Sequence, residues 1–395
     1  MNICIFSHGY FSKLRGGTES VTLILAKEFV NAGHKVYLIS TGNSIEDDKI
    51  EENQYFLPKA DVASSQNIDF VNTFFSKKKI ELIINQSIDR NLLNLIIKSK
   101  KKIPCINCIH NNPLVFIKSI TDYWSSCKIK FGWKFYAFYL LFVIAFTYFR
   151  YNAKKKTRKE LTFIYQNSDA VVLLSDRYKK IFQDVVGIKS SDKLHIIPNP
   201  LLTTNDERHE KENLVIFVGR LEFQKRVDRL LATWKNVYDQ HNNWKLKIIG
   251  DGNSRQLFES ISNKYQLKNV EFVGKAFPEE YYKKASILCV TSSHEGLPMV
   301  ILEALQYEVI PIAFNSFESL EDVITDKYNG IIIDAFSIKK YSRALDQLMS
   351  NENLLKEMRN NINAFNKVET FSIKTITKSW ENLFCKIIKH NECVS

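Results

Sequence analysis

Several things are missing from this 395-residue chain, and each absence narrows its class. No apolar run reaches the ~20 residues that a membrane-spanning helix needs; the uncharged stretch 135–149 falls short. No basic leader or small-residue cleavage site precedes the first strand pattern, Ile3 to Phe6, so no secretory signal is expected. The seven cysteines are odd in number and scattered, which argues against a disulfide framework and for a reducing cytoplasm. Cys105 and Cys108 have CxxC spacing but no second ligand pair. They lie in the apolar run Ile103 to Ile109 and read as small hydrophobes of a buried strand. No Asp-x-Asp stands at the end of a strand pattern, and Glu46, Asp47 and Asp48 fall in a polar loop, so no metal and no cofactor is expected. There is no repeat and no low-complexity segment.

What is present is an alternation of buried-strand and helix patterns through both halves, at a length that allows two domains with a core each. In the second half, Leu214 to Val218 ends in Gly219 and Arg220, and Lys225 follows where the spacing of Val227, Leu230, Leu231 and Trp234 starts a helix. Trp244 to Gly250, Val270 to Gly274 and Ala285 to Val290 are further strand patterns. Strands with glycines and charges at their exits describe a parallel α/β sheet whose ligand site lies at the carboxyl ends of the strands. The last of these strands delivers the chain to Glu295, Gly296, Leu297, Pro298, Met299 and Val300, with Glu303 beyond. On one helix the two glutamates would share a side, ~12 Å apart along the axis. Taken alone, two glutamates are ordinary surface residues, and it is the setting that singles them out. A turn opening a helix is a ready anion site. A nucleotide-sugar, with phosphate in the middle and hydroxyls at both ends, suits that layout.

The first half carries strand patterns at Lys35 to Ile39, Glu81 to Ile84, Ala170 to Leu174 and Leu194 to Ile197, and a helix pattern over Glu19 to Ala32. Residues 43–79 show no organising pattern. Gly16 and Gly17 lie just before that first helix, where glycine lets main chain approach a ligand closely; the plain alternative is a turn. His110 directly follows the strand Ile103 to Ile109. A histidine so placed is usually structural, but a neutral imidazole at a strand's carboxyl end can hydrogen-bond a hydroxyl or handle a proton. His8 and His294 are secondary candidates.

With Glu295 and Glu303, the run Gly219-Arg220-Leu221 with Lys225, the run Gly16 to Glu19, and Ile197 to Pro200 in register, the chain resembles the GT-B glycosyltransferases of retaining family 4 over nearly its whole length. That resemblance implies two Rossmann-like doubly wound domains facing a cleft. The first, 1–198, would bind the acceptor and the second, 199–371, the sugar nucleotide, while the C-terminal helix 372–395 would pack back on the first. It implies that Glu303 holds the ribose and that Glu295 orients the hexose. His110 would lie beside the transferred sugar, and Gly16 and Gly17 would face phosphate. Arg220 and Lys225, with the backbone at Gly296 to Val300, would stabilise the departing diphosphate, and Lys275 would lie near the base. Transfer would be retaining and metal-independent, probed by EDTA. Arg226 departs from the pattern, since the family often has glycine there.

Residues 128–160 are the compositional outlier. Eight aromatics fall within 135–149, and nine of the segment's charges are positive against Glu160 alone, which is most of the chain's net +12. A buried helix explains the aromatics but not the basic flank. An interfacial helix explains both, so a peripheral position on an anionic, cytoplasmic membrane face is expected. Nucleic acid is not expected as a partner, because no stacking or helix-turn-helix module accompanies the charge. The expected partners are a nucleotide-sugar (a UDP-sugar) and a glycan or polyprenyl-linked acceptor in surface polysaccharide assembly. The rival readings are a sugar-nucleotide epimerase of the same fold and an inactive peripheral scaffold.

Overall fold

A computed structural model describes residues 1–8, 17–41, 53–99, 102–131, 139–201, 209–363 and 367–394. Gly16, the acidic run 46–48 and the aromatics at 135, 136 and 138 therefore lie outside the described residues. Two wholly parallel sheets carry the fold. The first contains β1 (Asn2–Ser7), β2 (Lys35–Ser40), β3 (Gln54–Phe56), β4 (Leu82–Asn85), β5 (Cys105–Ile109), β6 (Ala170–Leu173) and β7 (Leu194–Ile196), in the order β3-β2-β1-β4-β5-β6-β7. The second contains β8 (Leu214–Val218), β9 (Lys245–Ile249), β10 (Val270–Gly274), β11 (Ile287–Val290), β12 (Ile310–Asn315) and β13 (Ile331–Asp334), in the order β10-β9-β8-β11-β12-β13. In both, the order reverses beside the first strand, the point at which doubly wound sheets bind ligands.

Both faces of the first sheet are covered, so its strands are continuous apolar runs rather than alternating ones. Along β1, Cys4 and Phe6 point into one core, with Phe75 of the helix Ser65–Lys78 edge-on to Phe6 at 6.1 Å. Ile3 and Ile5 point into the other core, where the helix Gly17–Asn31 meets the long C-terminal helix Ile373–Val394. There Phe29 packs edge-on against Trp380 at 5.9 Å and Phe384 at 5.1 Å, and the two tryptophan and phenylalanine side chains repeat every four residues to form one apolar face. Both cysteines of the CxxC spacing are buried in β5, with thiols pushed up chiefly by burial, as inert hydrophobes are.

The chain divides into two compact units. The first holds 1–114, 154–200 and 371–395, and the second holds 115–153 and 201–370. Residues 115–153, including much of the aromatic and basic segment that the sequence reading places within 1–198, cluster with the second unit. The cause is tertiary and local to the helix Val115–Phe131. Its Lys118 Nζ reaches both oxygens of Glu318 at 3.2 Å, and its Asp122 engages Ser293 and His294. Among the described residues no helix is long and apolar enough to cross a membrane.

Phe384 is fully buried, so Phe384→Ala removes its contacts with both Phe29 and Trp380. An expected loss of about 3–5 kcal/mol would be seen as an earlier unfolding transition in urea. A transition unmoved from wild type would show that this helix does not hold the first unit together.

Candidate functional site

At the carboxyl ends of β8 and β9 the main chain runs unusually close to itself. Gly219 (φ +152°) donates its N–H to Ile249 O at 3.0 Å, and Leu221 donates to Asp251 O at 2.9 Å. A Cβ on Gly250 (φ +134°) would stand 2.0 Å from Gly219 O, and one on Gly252 would stand 2.8 Å from Leu221 O. Only glycine permits this approach. It fixes the path of the chain into the short 3-10 turn Phe223–Lys225, whose last residue lays its stem over Gly219.

Lys225 Nζ meets Glu295 Oε1 at 2.6 Å, with both side chains mostly out of solvent. Side chains stitch the turn to the exit of β11. Gln224 Nε2 donates to His294 O at 2.6 Å, Ser293 N to Gln224 O at 2.8 Å, and Thr291 Oγ1 to Lys225 O at 2.9 Å. From the other side, Asp122 Oδ2 accepts from Ser293 Oγ at 2.7 Å, the length of a charge-assisted bond, and lies 3.1 Å from His294 Nδ1. Ser319 Oγ donates to Gly296 O. The loop bearing Glu295 is thus held by main chain and side chain on three sides.

The expectation that Glu295 and Glu303 share one helix is corrected. The helix is Met299–Gln306, with Pro298 (φ −77°, ψ 85°) at its N-cap, and Glu295 precedes it in the loop. Proline cannot sit inside a helix, and it biases the residue before it away from helical geometry, so the Gly296 to Pro298 segment delays the helix start. No side chain caps this helix, so its positive end is presented by backbone at Met299 and Val300. Glu303 lies within it, and its Oε2 accepts from Tyr282 Oη at 2.9 Å. Burial raises the Glu303 pKa, and the tyrosine bond opposes that rise. Leu297 and Pro298 are buried against the second unit's core, while Arg220 and Lys275 are exposed at the exits of β8 and β10.

Lys225 does not open the next helix, as its spacing suggests; the helix is Val227–Lys235, and Arg226 intervenes with φ +52°. This left-handed backbone accounts for a preference for glycine there. Arg226 compensates through its side chain: Nε and Nη2 bind Asp228 at 2.9 and 2.8 Å, and the guanidinium lies 4.6 Å from the Phe223 ring centroid. A left-handed non-glycine residue costs roughly 1–2 kcal/mol, whereas breaking a buried pair costs about 3–5 kcal/mol. The arginine is therefore held by its partner despite the backbone.

In the first unit, His110 stands at the carboxyl end of β5. Its Nε2 bonds Gln86 Oε1, and Gln86 N is anchored on Phe6 O at 2.8 Å. Burial depresses the imidazole to about 4, against an upward pull from Asn199. The ring is neutral at pH 7, with Nε2–H donating to Gln86 and Nδ1 left as an acceptor. Gly17 begins its helix with nothing within 4 Å of a Cβ placed there, so space alone does not demand glycine. His8 is exposed, 3.6 Å from Asp89. Among the described residues no group of His, Cys, Asp and Glu could hold a metal ion.

The sequence reading missed Asp122, Gln224 and Tyr282. Nothing local marks them, since each acts on residues at least 21 positions away.

The chain matches the model of Glycosyltransferase Family 4 over residues 15–204 and that of Glycosyl transferases group 1 over 203–365. It is 32% identical over 233 residues, 57% of its length and 65% of the relative's, to the amylovoran biosynthesis glycosyltransferase AmsD of Erwinia amylovora. It is likewise 32% identical over 184 residues, 46% of its length and 50% of the relative's, to a Campylobacter jejuni enzyme. That enzyme is named GalNAc-alpha-(1->4)-GalNAc-alpha-(1->3)-diNAcBac-PP-undecaprenol alpha-1,4-N-acetyl-D-galactosaminyltransferase. The match thus spans half to two thirds of these relatives. The S. aureus TarM structure in complex with UDP superposes with a TM-score of 0.73 at 14% identity, covering 97% of this chain and 99% of that one, a likeness of fold.

Two outcomes follow from this geometry. Asp122→Ala takes the carboxylate from Ser293 Oγ, which keeps Gln224 O as its other acceptor, and from beside His294 Nδ1, an expected loss of about 1–2 kcal/mol in urea unfolding. Asp122→Asn, whose amide oxygen still accepts, should recover part of it, and equal losses in the two variants would contradict the arrangement. For His110, the folded pKa lies below the usual 6.5, so the unfolded chain takes up the proton first as pH falls. Its stability contribution is full above pH 6.5 and is lost on descending toward pH 4. Thermal midpoints of His110→Gln should therefore fall less than those of wild type across that window.

Proposed function

The chain belongs to the GT-B glycosyltransferases, and on that footing we propose that it moves a hexose from a UDP-sugar to a saccharide or lipid-linked acceptor in surface glycan assembly. The observation that carries this reading is the Lys225–Glu295 pair at 2.6 Å beside the uncapped end of the helix bearing Glu303. In the donor complex the diphosphate takes up Lys225 and the backbone at Met299 and Val300. Arg220, free of burial, closes on it as a bidentate clamp. Glu295, released in part from the lysine, accepts from hydroxyls of the hexose, and Glu303 accepts from the ribose. Lys275 lies toward the base.

As the anomeric C–O bond to the diphosphate breaks, negative charge grows on the leaving oxygen, and these cations and the helix terminus stabilise it without a metal ion. The acceptor hydroxyl attacks from the same face and gives its proton to the departing phosphate oxygen, so configuration is retained. His110 acts as a neutral acceptor for a sugar hydroxyl, the form its depressed pKa preserves. Around the segment 128–160, exposed Leu141, Ile144, Tyr148, Phe149 and Tyr151 with the flanking lysines support docking on an anionic membrane face. The Campylobacter relative's name, which includes a PP-undecaprenol acceptor, is in keeping with such a position.

Titration with UDP in the presence of EDTA tests the core of this reading. Saturation near 100 Kd should raise stability by about 2.7 kcal/mol, and Glu303→Ala should abolish the shift. If UDP leaves wild type unmoved while another nucleotide shifts it, the donor assignment is wrong. If no nucleotide does, the glycosyltransferase reading gives way to a scaffold.

A further inference from the structure

The helix Met299–Gln306 carries Glu303, but the group that aims its carboxylate comes from another element. Tyr282, on the helix Glu279–Lys284, is 1% exposed, and its Oη donates to Glu303 Oε2 at 2.9 Å. Val300 O stands farther from the same hydroxyl, at 3.4 Å. A phenol has one proton to give, and it goes to the nearer acceptor, which is also the charged one. Burial, with the carboxylate beside it, pushes the Tyr282 pKa well above its ordinary value, so the group stays a donor. Among the described residues no other side chain donates to Glu303, which is only partly buried and has Oε1 uncommitted.

Tyr282 is itself held too firmly to follow the carboxylate if it turns. Its ring stacks on Tyr307, with centroids 5.8 Å apart and planes 9° from parallel. Lys211 Nζ donates to the main-chain oxygens of Tyr282 at 2.9 Å, of Lys283 at 3.0 Å and of Tyr307. Those oxygens lie at the carboxyl ends of the two helices, where a cation is favourable. One ammonium thus ties the helix of Tyr282 to the end of the helix of Glu303. The distance from phenol to carboxylate is set by main chain on both sides.

We propose that Tyr282 is the positioning residue of Glu303. By holding Oε2 it turns the carboxylate to receive the vicinal 2′ and 3′ hydroxyls of a ribose, which makes the site selective for a ribonucleotide over its 2′-deoxy form. An acceptor fixed in place for a hydroxyl is left unpaired by an analogue that lacks it, whereas an acceptor free to rotate finds water instead. This rests on the placing of the ribose at Glu303 in the proposed function and adds the group that enforces it.

UDP and 2′-deoxy-UDP are titrated into the full-length protein by calorimetry. Wild type should bind UDP roughly tenfold more tightly, the worth of one hydrogen bond to a charged group. Tyr282→Phe keeps the ring and its stack and removes only the hydroxyl. It should weaken UDP about tenfold and bring the two nucleotides within about threefold of each other. A general loosening of the fold would weaken both alike and leave their ratio unmoved. Tyr307→Phe takes from the same stack a hydroxyl that bonds Glu279 instead, and should keep the wild-type ratio. Discrimination by Tyr282→Phe equal to that of wild type overturns the assignment, and so does an equal loss of discrimination in Tyr307→Phe. Wild type that binds UDP, with the binding lost in Glu303→Ala, but takes 2′-deoxy-UDP equally well overturns the ribose selectivity and leaves the nucleotide-sugar reading standing. Wild type that binds no nucleotide overturns that reading and this inference together.

Discussion

At the carboxyl ends of β8 and β9, two stretches of main chain pass with no room for a methyl group between them. Gly250 faces the carbonyl of Gly219, and Gly252 faces that of Leu221. Everything that gives the second unit its chemistry hangs from this crossing. It sets the turn that carries Gln224 and Lys225, and through Gln224 it sets the exit of β11. Side-chain packing tolerates small errors by changing rotamers, but main chain against main chain does not. The ion pair between Lys225 and Glu295 is therefore a consequence of backbone geometry decided more than forty residues earlier in the chain than the glutamate.

On the proposed function, that pair would also keep a polyanion site in order before its ligand arrives. A lysine aimed at a phosphate position and left alone would be a desolvated charge, which is costly to hold. Pairing it with Glu295 lowers that cost and keeps both groups at the mouth of the helix terminus. In that reading a diphosphate would exchange one anion for another around the same cation, so little charge would have to be moved. In the first unit the solution is different: His110 is kept uncharged by burial and pinned through Gln86, so it needs no counter-ion.

Much of this was readable from residues. Ten strands announce themselves as apolar runs, three of them exiting into glycine, and their alternation with helix patterns is enough to identify parallel α/β architecture. Two of the three strands that escaped, the third being β13, have physical reasons for doing so. β12 carries Pro311, which reads as a break, and β3 spans only Gln54–Phe56. The candidate site was legible as far as the glycines and charged residues at strand exits, where sequence and position are tied. What was hidden is what holds them. Asp122 lies 171 residues before Ser293, and Tyr282 reaches Glu303 from a separate helix. Arg226 was visible as a departure from glycine, but its left-handed backbone and its clamp on Asp228 were not.

The division of the chain into units has a further bearing on how the molecule is made. The polypeptide leaves the first unit at 114, rejoins it at 154, leaves again at 200 and returns at 371. A ribosome that has emitted every strand of the first sheet has still not supplied Trp380 and Phe384, which close one of its two cores. Part of the apolar side of the helix Gly17–Asn31 therefore stays uncovered until residues 376–387 emerge, and the unit whose synthesis starts first is completed only after every strand of the second sheet has been made.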